Sequence, residues 1–522
     1  MKTITFHIVF RFNGIQFYPV KLFISWMLLS TMMFSCRENS EIGSSNKKPR
    51  NILFVFTDDQ RMSAIGALGN SEIKTPNMDK LVKKGMAFTN TNIMGSFSGA
   101  VCAPSRAMLM TGRPLFEIDP SGSIIDSIYT TLPQYLSMKG YHTFHTGKWH
   151  NDQKSFARSF NDGKAIFFGG MNDHYKVPLH HFDKTFSYPK NKIYYDTIHH
   201  STDIYANAAI NFLNTYENEK PFFMYVAFQA PHDPRQAPQK YLDLYDTANI
   251  SLPPNFMIKH PFDNGEMEIR DEWTARMPRQ PKRIKQHIRA YYAMITHVDD
   301  QIGKIVDALR NNGQLENTLI IFAGDNGLAL GQHGLMGKQN LYEHSIGVPL
   351  VFSGPEIPSG RMNNSPIYLN DIYPTLCDYL GLGLPSSVKL KSLMPIINGE
   401  KESVRDATVH VYKNFQRAIK KGDYKLIEYN VKGKTKKQLF NLKLDPFETS
   451  NLITFPEQQE RIVQLESEMQ QLLREIGDSV NLSVSGWNVS IMESWEDKMR
   501  RNNPEALEKL KKMAAKERES LK

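Results

Sequence analysis

Cysteine is nearly missing from this chain: 522 residues hold three, Cys36, Cys102 and Cys377, which excludes a disulfide framework. Glycine and proline, at 32 and 28 residues, are too sparse for a fibrous repeat or low-complexity segment, and aromatics at 11% argue against disorder. No internal repeat is visible. Basic residues exceed acidic ones by 63 to 54, a formal charge of +9, yet no clustered Lys/Arg stripe accompanies the excess, so nucleic acid is not favoured as a partner. What remains is an ordinary globular composition, 41% apolar and 22% charged, long enough for a buried core and too long for one typical domain, so two unequal units are expected.

The N-terminus reads as an address. Lys2, Arg11 and Lys21 precede an apolar, uncharged run over 22–35, 14 residues long and short of the ~20 that span a membrane. The run ends at Ser35-Cys36 and gives way to a polar stretch through residue 49. This resembles a bacterial lipoprotein signal over 1–35, with Cys36 lipidated and 36–49 as a tether; ordinary export with cleavage nearby is the alternative. Either implies an exported protein, in the periplasm or at the outer membrane or cell surface, touching membrane through a lipid anchor only.

From Asn51 onward, strand-like runs alternate with helical ones. Ile52–Phe56 is a continuous apolar run of the kind covered on both faces. Helical patterns at Met78–Lys84, Ser105–Met110 and Leu132–Met138 each stop near a glycine. Further strands are expected at 222–228, 319–322 and 349–352, with a long helix from about Ile284 to Arg310. Strands separated by helices predict an α/β fold with a large, mainly parallel sheet between helices. After about residue 400 short alternating runs at 407–412, 418–419, 424–429 and 438–440 predict a smaller antiparallel sheet, followed by a helix at 456–476. The expected division is a catalytic α/β domain over 50–400, an α+β subdomain over 401–485 and a charged tail over 486–522.

Two acidic pairs stand directly after strands: Asp58-Asp59 after the first, Asp325-Asn326 after Leu319–Gly324. Open parallel sheets bind ligands beyond the carboxyl ends of their strands, so the pairs can meet. Three carboxylates and one amide oxygen suit Ca²⁺ or Mg²⁺ better than zinc. Taken singly, each pair reads equally as a turn or helix cap.

One segment decides the reading: Val101-Cys102-Ala103-Pro104-Ser105-Arg106, with Thr111-Gly112 beyond it. It resembles the sulfatase signature C-x-P-S-R with its following T-G. The rest of that family's pattern follows in order: Asp58-Asp59-Gln60 before it, then Thr146–His150, Ala230–Pro234, Gly324–Gly327, and His333-Gly334 with Gly337-Lys338. The resemblance to type I sulfatases of the alkaline phosphatase superfamily covers about 50 to 480. It implies that a dedicated maturation enzyme converts Cys102 to Cα-formylglycine (3-oxoalanine), and that Asp58, Asp59, Asp325 and Asn326 hold one Ca²⁺, with residue 102 itself at the metal.

The chemistry explains the residue types. A sulfate monoester repels nucleophiles, so Ca²⁺, Arg106, Lys148 and Lys338 are expected to neutralise its oxygens. The resemblance gives one hydroxyl of the hydrated aldehyde as nucleophile, His232 with Lys338 as the source of the leaving group's proton, and His150 as the base that lets the second hydroxyl expel sulfate. Ser105, Arg106 and Thr111 are expected to cap and fix a helix whose N-terminus faces the anion. Cys377 is expected to be a free, buried thiol. The implied activity is sulfate monoester hydrolysis, with a sulfated carbohydrate as substrate. Two rivals are a phosphodiesterase or phosphonate monoester hydrolase of the same superfamily, and a non-catalytic lipoprotein that binds sulfated glycan. For sugar recognition the sequence offers His174, within the glycine- and aromatic-rich segment 161–183, and His410 and Arg417 from the smaller unit.

Overall fold

The structure, a computed structural model, describes residues 50–490 except 186, together with 493, 495–508 and 511–512. The signal segment, Cys36 and the tether to residue 49 lie outside the described residues, as do parts of the charged tail.

Eight strands form the main sheet: β1 (Asn51–Thr57), β2 (Met86–Phe88), β3 (His142–Lys148), β4 (Asp162–Phe167), β5 (Phe222–Ala227), β6 (Thr318–Gly324), β7 (Leu350–Ser353) and β8 (Arg361–Asn363). Their spatial order is β8-β2-β7-β6-β1-β5-β3-β4. Every neighbouring pair is parallel except those made by β7, which runs against both β6 and β2. The mixed, mainly parallel sheet anticipated from the sequence is therefore present. β1 lies in the interior of that order, and every one of its residues is buried. Because strand side chains alternate, Ile52, Phe54 and Phe56 enter one core while Leu53 and Val55 enter the other.

Helices cover both faces. α1 (Pro76–Lys84), α2 (Cys102–Thr111), α3 (Leu132–Met138), α4 (Ser201–Thr215), α5 (Pro281–Asn311) and α6 (Ile372–Tyr379) divide between them: α1, α4 and α5 pack on the Leu53 side, and α2, α3 and α6 on the Phe54 side. The long α5 buries Ile284, Ile288, Tyr291, Ile295, Val298, Ile302, Ile305 and Leu309, one helical stripe. Each fully buried aliphatic side chain of that stripe contributes about 1.5–3 kcal/mol.

Two local expectations change. α2 begins at Cys102 rather than Ser105, and neither Ser105 nor Thr111 caps it: Ser105 Oγ donates to the Asp325 carbonyl at 2.6 Å, and Thr111 Oγ1 donates to Ala107 O at 2.7 Å. The helix is thus pinned to the end of β6 through Ser105. It stops where Gly112 takes φ +63 and gives its N–H to Met108 O.

The smaller sheet is a meander of four antiparallel strands, β9 (Ala407–Tyr412), β10 (Gln416–Lys421), β11 (Tyr424–Val431) and β12 (Lys434–Asn441). The two-residue strand Gly95–Ser96, from the segment before α2, adds to β9 in parallel. Helix α7 (Gln459–Glu475) closes one face, its Ile462, Leu465, Met469 and Leu473 meeting Val409, Val411, Ile419, Leu426 and Leu439. Among the described residues no helix is long and apolar enough to cross a membrane.

Candidate active site

The two acidic pairs meet because β1 and β6 are adjacent, parallel and in register, with Thr57 opposite Gly324. Register continues past the strands: the Asp325 N–H donates to Thr57 O at 3.0 Å, and the Asp59 N–H donates to Asp325 Oδ1 at 3.0 Å. Asp59 sits at φ +68, a region sparsely occupied by non-glycine residues. It is held there from α5, where Tyr291 Oη donates to the Asp59 carbonyl at 2.8 Å.

One oxygen from each of Asp58, Asp59 and Asp325 lies within 4.8 Å of the others. Asp58 Oδ1 and Asn326 Oδ1 are buried with no hydrogen-bond partner among the described residues, although a buried polar oxygen ordinarily finds one. Three clustered carboxylates and two orphaned oxygens fit a hard divalent cation.

Cys102, at the first position of α2, is buried with its Sγ 3.7 Å from both Lys148 Nζ and Lys338 Nζ. A ring nitrogen of His232 and a carboxylate oxygen of Asp58 lie within 4.8 Å of that sulfur and of each other. Burial pushes the Cys102 thiol up to about 11 despite the two lysines. Lys148, the last residue of β3, is bonded to Asp58 and donates to Gly170 O at 2.5 Å; Lys338 donates to Asp59 Oδ1 at 2.6 Å. Burial opposes the charge on Lys338, but Asp59, Cys102, Asp58 and Asp271 together outweigh it and hold the ammonium protonated. Burial likewise opposes ionisation of Asp58, and Lys148, His232, Arg106 and Lys338 together keep it well below the usual carboxylate range. Asp325 goes the other way, pushed up to about 7 by burial and then by the neighbouring Asp58.

Arg106 is placed differently from expectation. Its Nε and NH2 meet Asp325 Oδ2 at 3.0 and 2.9 Å, and its NH1 donates to Lys148 O at 2.9 Å. The guanidinium thus fastens α2 to the ends of β6 and β3, its charge spent on Asp325 of the acidic cluster.

Two histidines flank the cluster. His150 sits just after β3 at φ +67, and its Nδ1 is buried without a partner among the described residues. Burial, then the Lys148 charge, holds it well below the ordinary histidine value, so it is neutral. His232 presents Nε2 3.6 Å from Asp59 Oδ2 and bonds through Nδ1 to the Asp233 carbonyl at 2.7 Å.

The sequence reading did not single out Gly170, Asn151 or Tyr291. At Gly170 a Cβ would come 2.6 Å from His150 Nε2, so a side chain here would displace the His150 ring while the carbonyl meets Lys148. Asn151 Nδ2 donates to Ala103 O and Gly122 O at 3.2 and 2.5 Å, tying the His150 turn to the start of α2. The Gly169-Gly170 pair was visible as a signal; a tyrosine in the middle of a long amphipathic helix was not.

The three expected sugar-contacting residues are all interior. His174 is fully buried, bonding Ser201 Oγ at 2.8 Å and the His232 carbonyl at 3.0 Å while stacking on His200. It therefore lies behind His232 instead of above the site. His410, fully buried on β9, bonds the Ile93 carbonyl at 2.7 Å and Thr408 Oγ1 at 3.1 Å. Arg417 is buried on β10, its Nε donating to Asp478 Oδ2 at 2.6 Å and its NH1 to the Lys413 and Gln416 carbonyls. Neither residue of the smaller sheet reaches across a cleft, because each points into packed structure where its polar atoms find protein partners.

The profile of the family described as Sulfatase matches residues 50–382, and that described as N-sulphoglucosamine sulphohydrolase, C-terminal, matches 331–475. A protein named Sulfatase from Formosa agariphila is 30% identical over 77% of this chain and 84% of its own length. The N-acetylglucosamine-6-O-sulfatase of Bacteroides thetaiotaomicron is 26% identical over 85% of this chain and 90% of its own. Among solved structures, one described as a complex with its substrate D-glucosamine-2-N,6-O-disulfate superposes with TM-score 0.67 at 24% identity, covering 83% of this chain and 99% of that one.

Proposed function

The chain belongs to the sulfatase family, sulfuric ester hydrolases of the alkaline phosphatase superfamily, and from this we propose that it removes sulfate from a sulfated saccharide, using residue 102 as formylglycine beside one Ca²⁺. The observation that carries the reading is the setting of Cys102: two lysine ammoniums at 3.7 Å on a floor of three carboxylates. Lys148, Lys338 and Arg106 balance Asp58, Asp59 and Asp325 in formal charge, so a bound divalent cation makes the pocket net positive and fit for a sulfate group. Asp58, Asp59, Asp325 and Asn326 are the residues to hold that ion, which supplies charge stabilisation. Hydrated formylglycine supplies two hydroxyls on one carbon, a nucleophile and an internal exit.

The side chains then divide the work. Lys148 and Lys338, buried and charged, stabilise negative charge far better than they would in water. His232, with Nδ1 engaged by the Asp233 carbonyl, is oriented to give a proton from Nε2 to the leaving oxygen. His150, neutral with a free Nδ1, is suited to accept one. The saccharide class is supported by the two relatives named for sulfated amino sugars, one by its enzyme name and one by its substrate complex. Export and lipidation at Cys36 are proposed on the sequence of the N-terminal segment alone. The test is sulfate release by chain produced with a maturation enzyme, measured on monosulfated sugars that differ in sulfate position and on the matched phosphate esters. The reading requires turnover of the sulfate esters in preference.

A further inference from the structure

Directly behind His232 the chain continues Asp233-Pro234-Arg235 and forms one wall of a recess of about 400 Å³. The opposite wall is the first three turns of α5, where Arg283, Gln286, His287 and Ala290 share one face at i, i+3, i+4 and i+7. The recess has a marked excess of hydrogen-bond donors. Arg235 NH1 bonds His287 Nδ1 at 3.1 Å, and Arg235 Nε is buried with no partner among the described residues. Burial, then Arg235 and Arg283, holds His287 well below its ordinary value, so it is neutral and accepts from Arg235. The carboxylate among the lining residues, Asp233, is already committed: Arg270 bonds it, and His232 Nδ1 lies 3.3 Å from its Oδ1. Burial lowers the Arg235 pKa in spite of Asp233, Asp59 and Asp271 nearby, the signature of a guanidinium with too little compensating charge.

We propose that this recess is an anion subsite in which Arg235, with His287 and Arg283, binds a second acidic group of the saccharide whose first sulfate lies at residue 102. The guanidinium fork matches the paired oxygens of a carboxylate or sulfate, and the positive end of α5 adds to it. The two sites adjoin through one residue: Asp233 lines the recess, and its carbonyl holds the imidazole that reaches within 4.8 Å of the Cys102 sulfur. The preferred substrate class is therefore a saccharide carrying a second anionic group next to the scissile sulfate. This rests on the sulfatase reading, and it predicts binding that can be measured without turnover.

The experiment is calorimetric titration of full-chain Cys102→Ala protein with divalent cation present, using a monosulfated disaccharide and two counterparts, one with a second sulfate and one with a uronate carboxylate. At least one added group should tighten binding about tenfold, as a charge-assisted contact does, and Arg235→Gln should erase most of that gain while keeping the parent melting temperature. His287→Gln should diminish the same gain if Arg235→Gln compromises folding. Which counterpart gains identifies the group. No gain from either group, or a gain retained in both variants, overturns the subsite. Sulfate release by matured wild-type chain is scored separately, so an Arg235-dependent gain without turnover would support the subsite while contradicting the catalytic reading.

Discussion

The backbone N–H of Asp59 donates to Asp325 Oδ1 at 3.0 Å, locking the turn after one central strand to the carboxylate that follows its neighbour. With Tyr291 holding the Asp59 carbonyl from α5, the left-handed turn is fixed from two sides, which is how such a conformation persists. The acidic floor is thus assembled by the fold itself and kept from flying apart by Lys148, Lys338 and Arg106.

That arrangement makes the cation a stabiliser as well as a cofactor. Ca²⁺ should raise the melting temperature, with a gain of about 2.7 kcal/mol at a hundredfold excess over Kd, and Mg²⁺ should do less. Chelation should reverse the shift, and Asp325→Ala should abolish it. A scan insensitive to both ions would remove the metal from the account.

Proton donation by His232 predicts unequal damage. His232→Ala should cost about 10²–10⁴-fold on sulfate esters of poor alkoxide leaving groups and far less on an activated aryl sulfate, which needs little acid help. Steady-state kinetics on the two classes decide it; equal losses would take His232 out of that role.

Arg417 should behave as a structural residue. Replacing it by Ala leaves Asp478 buried without its ion-pair partner, a change that costs about 3–5 kcal/mol. Denaturant melts should report that loss, with KM for the saccharide unchanged in the folded fraction.

Glu428 supplies a pH signature. It is buried in the smaller sheet and its carboxyl is pushed up to about 7 by burial, which outweighs the opposing Lys437, with a smaller push from Glu466. A carboxyl whose folded pKa lies above its unfolded value near 4.5 favours the native state when protonated. Its contribution is whole below the unfolded value and is lost as pH rises through about 7. The shift corresponds to roughly 3 kcal/mol. Glu428→Gln should flatten stability across that window and raise the melting temperature at pH 8 relative to wild type.

Much of this could be read from the sequence where short-range chemistry determines structure. The buried run Ile52–Phe56 announced a strand covered on both faces, and the acids placed after two such runs became neighbours once the strands paired in parallel. Residue identity alone could not tell an arginine that meets substrate from one paired to a carboxylate of the protein. Arg106 and Arg417 carry the same charge, and only tertiary contacts show that both face carboxylates inside the protein. His174 and His410 misled for a related reason: His174 stands among polar neighbours and His410 between Val409 and Val411 on an alternating strand, and neither setting shows that packing supplies both rings with protein partners. Tyr291 left no mark because its role depends on where α5 crosses the end of β1.

The most direct measurement joins modification to turnover at position 102. Chain made with and without a maturation enzyme is examined by peptide mass spectrometry and by sulfate release from the same preparations. Activity should rise in proportion to the fraction of residue 102 carrying the aldehyde, and Cys102→Ala should lose about 10³-fold or more under either condition. Full activity in a preparation whose residue 102 is an unmodified thiol would contradict the account.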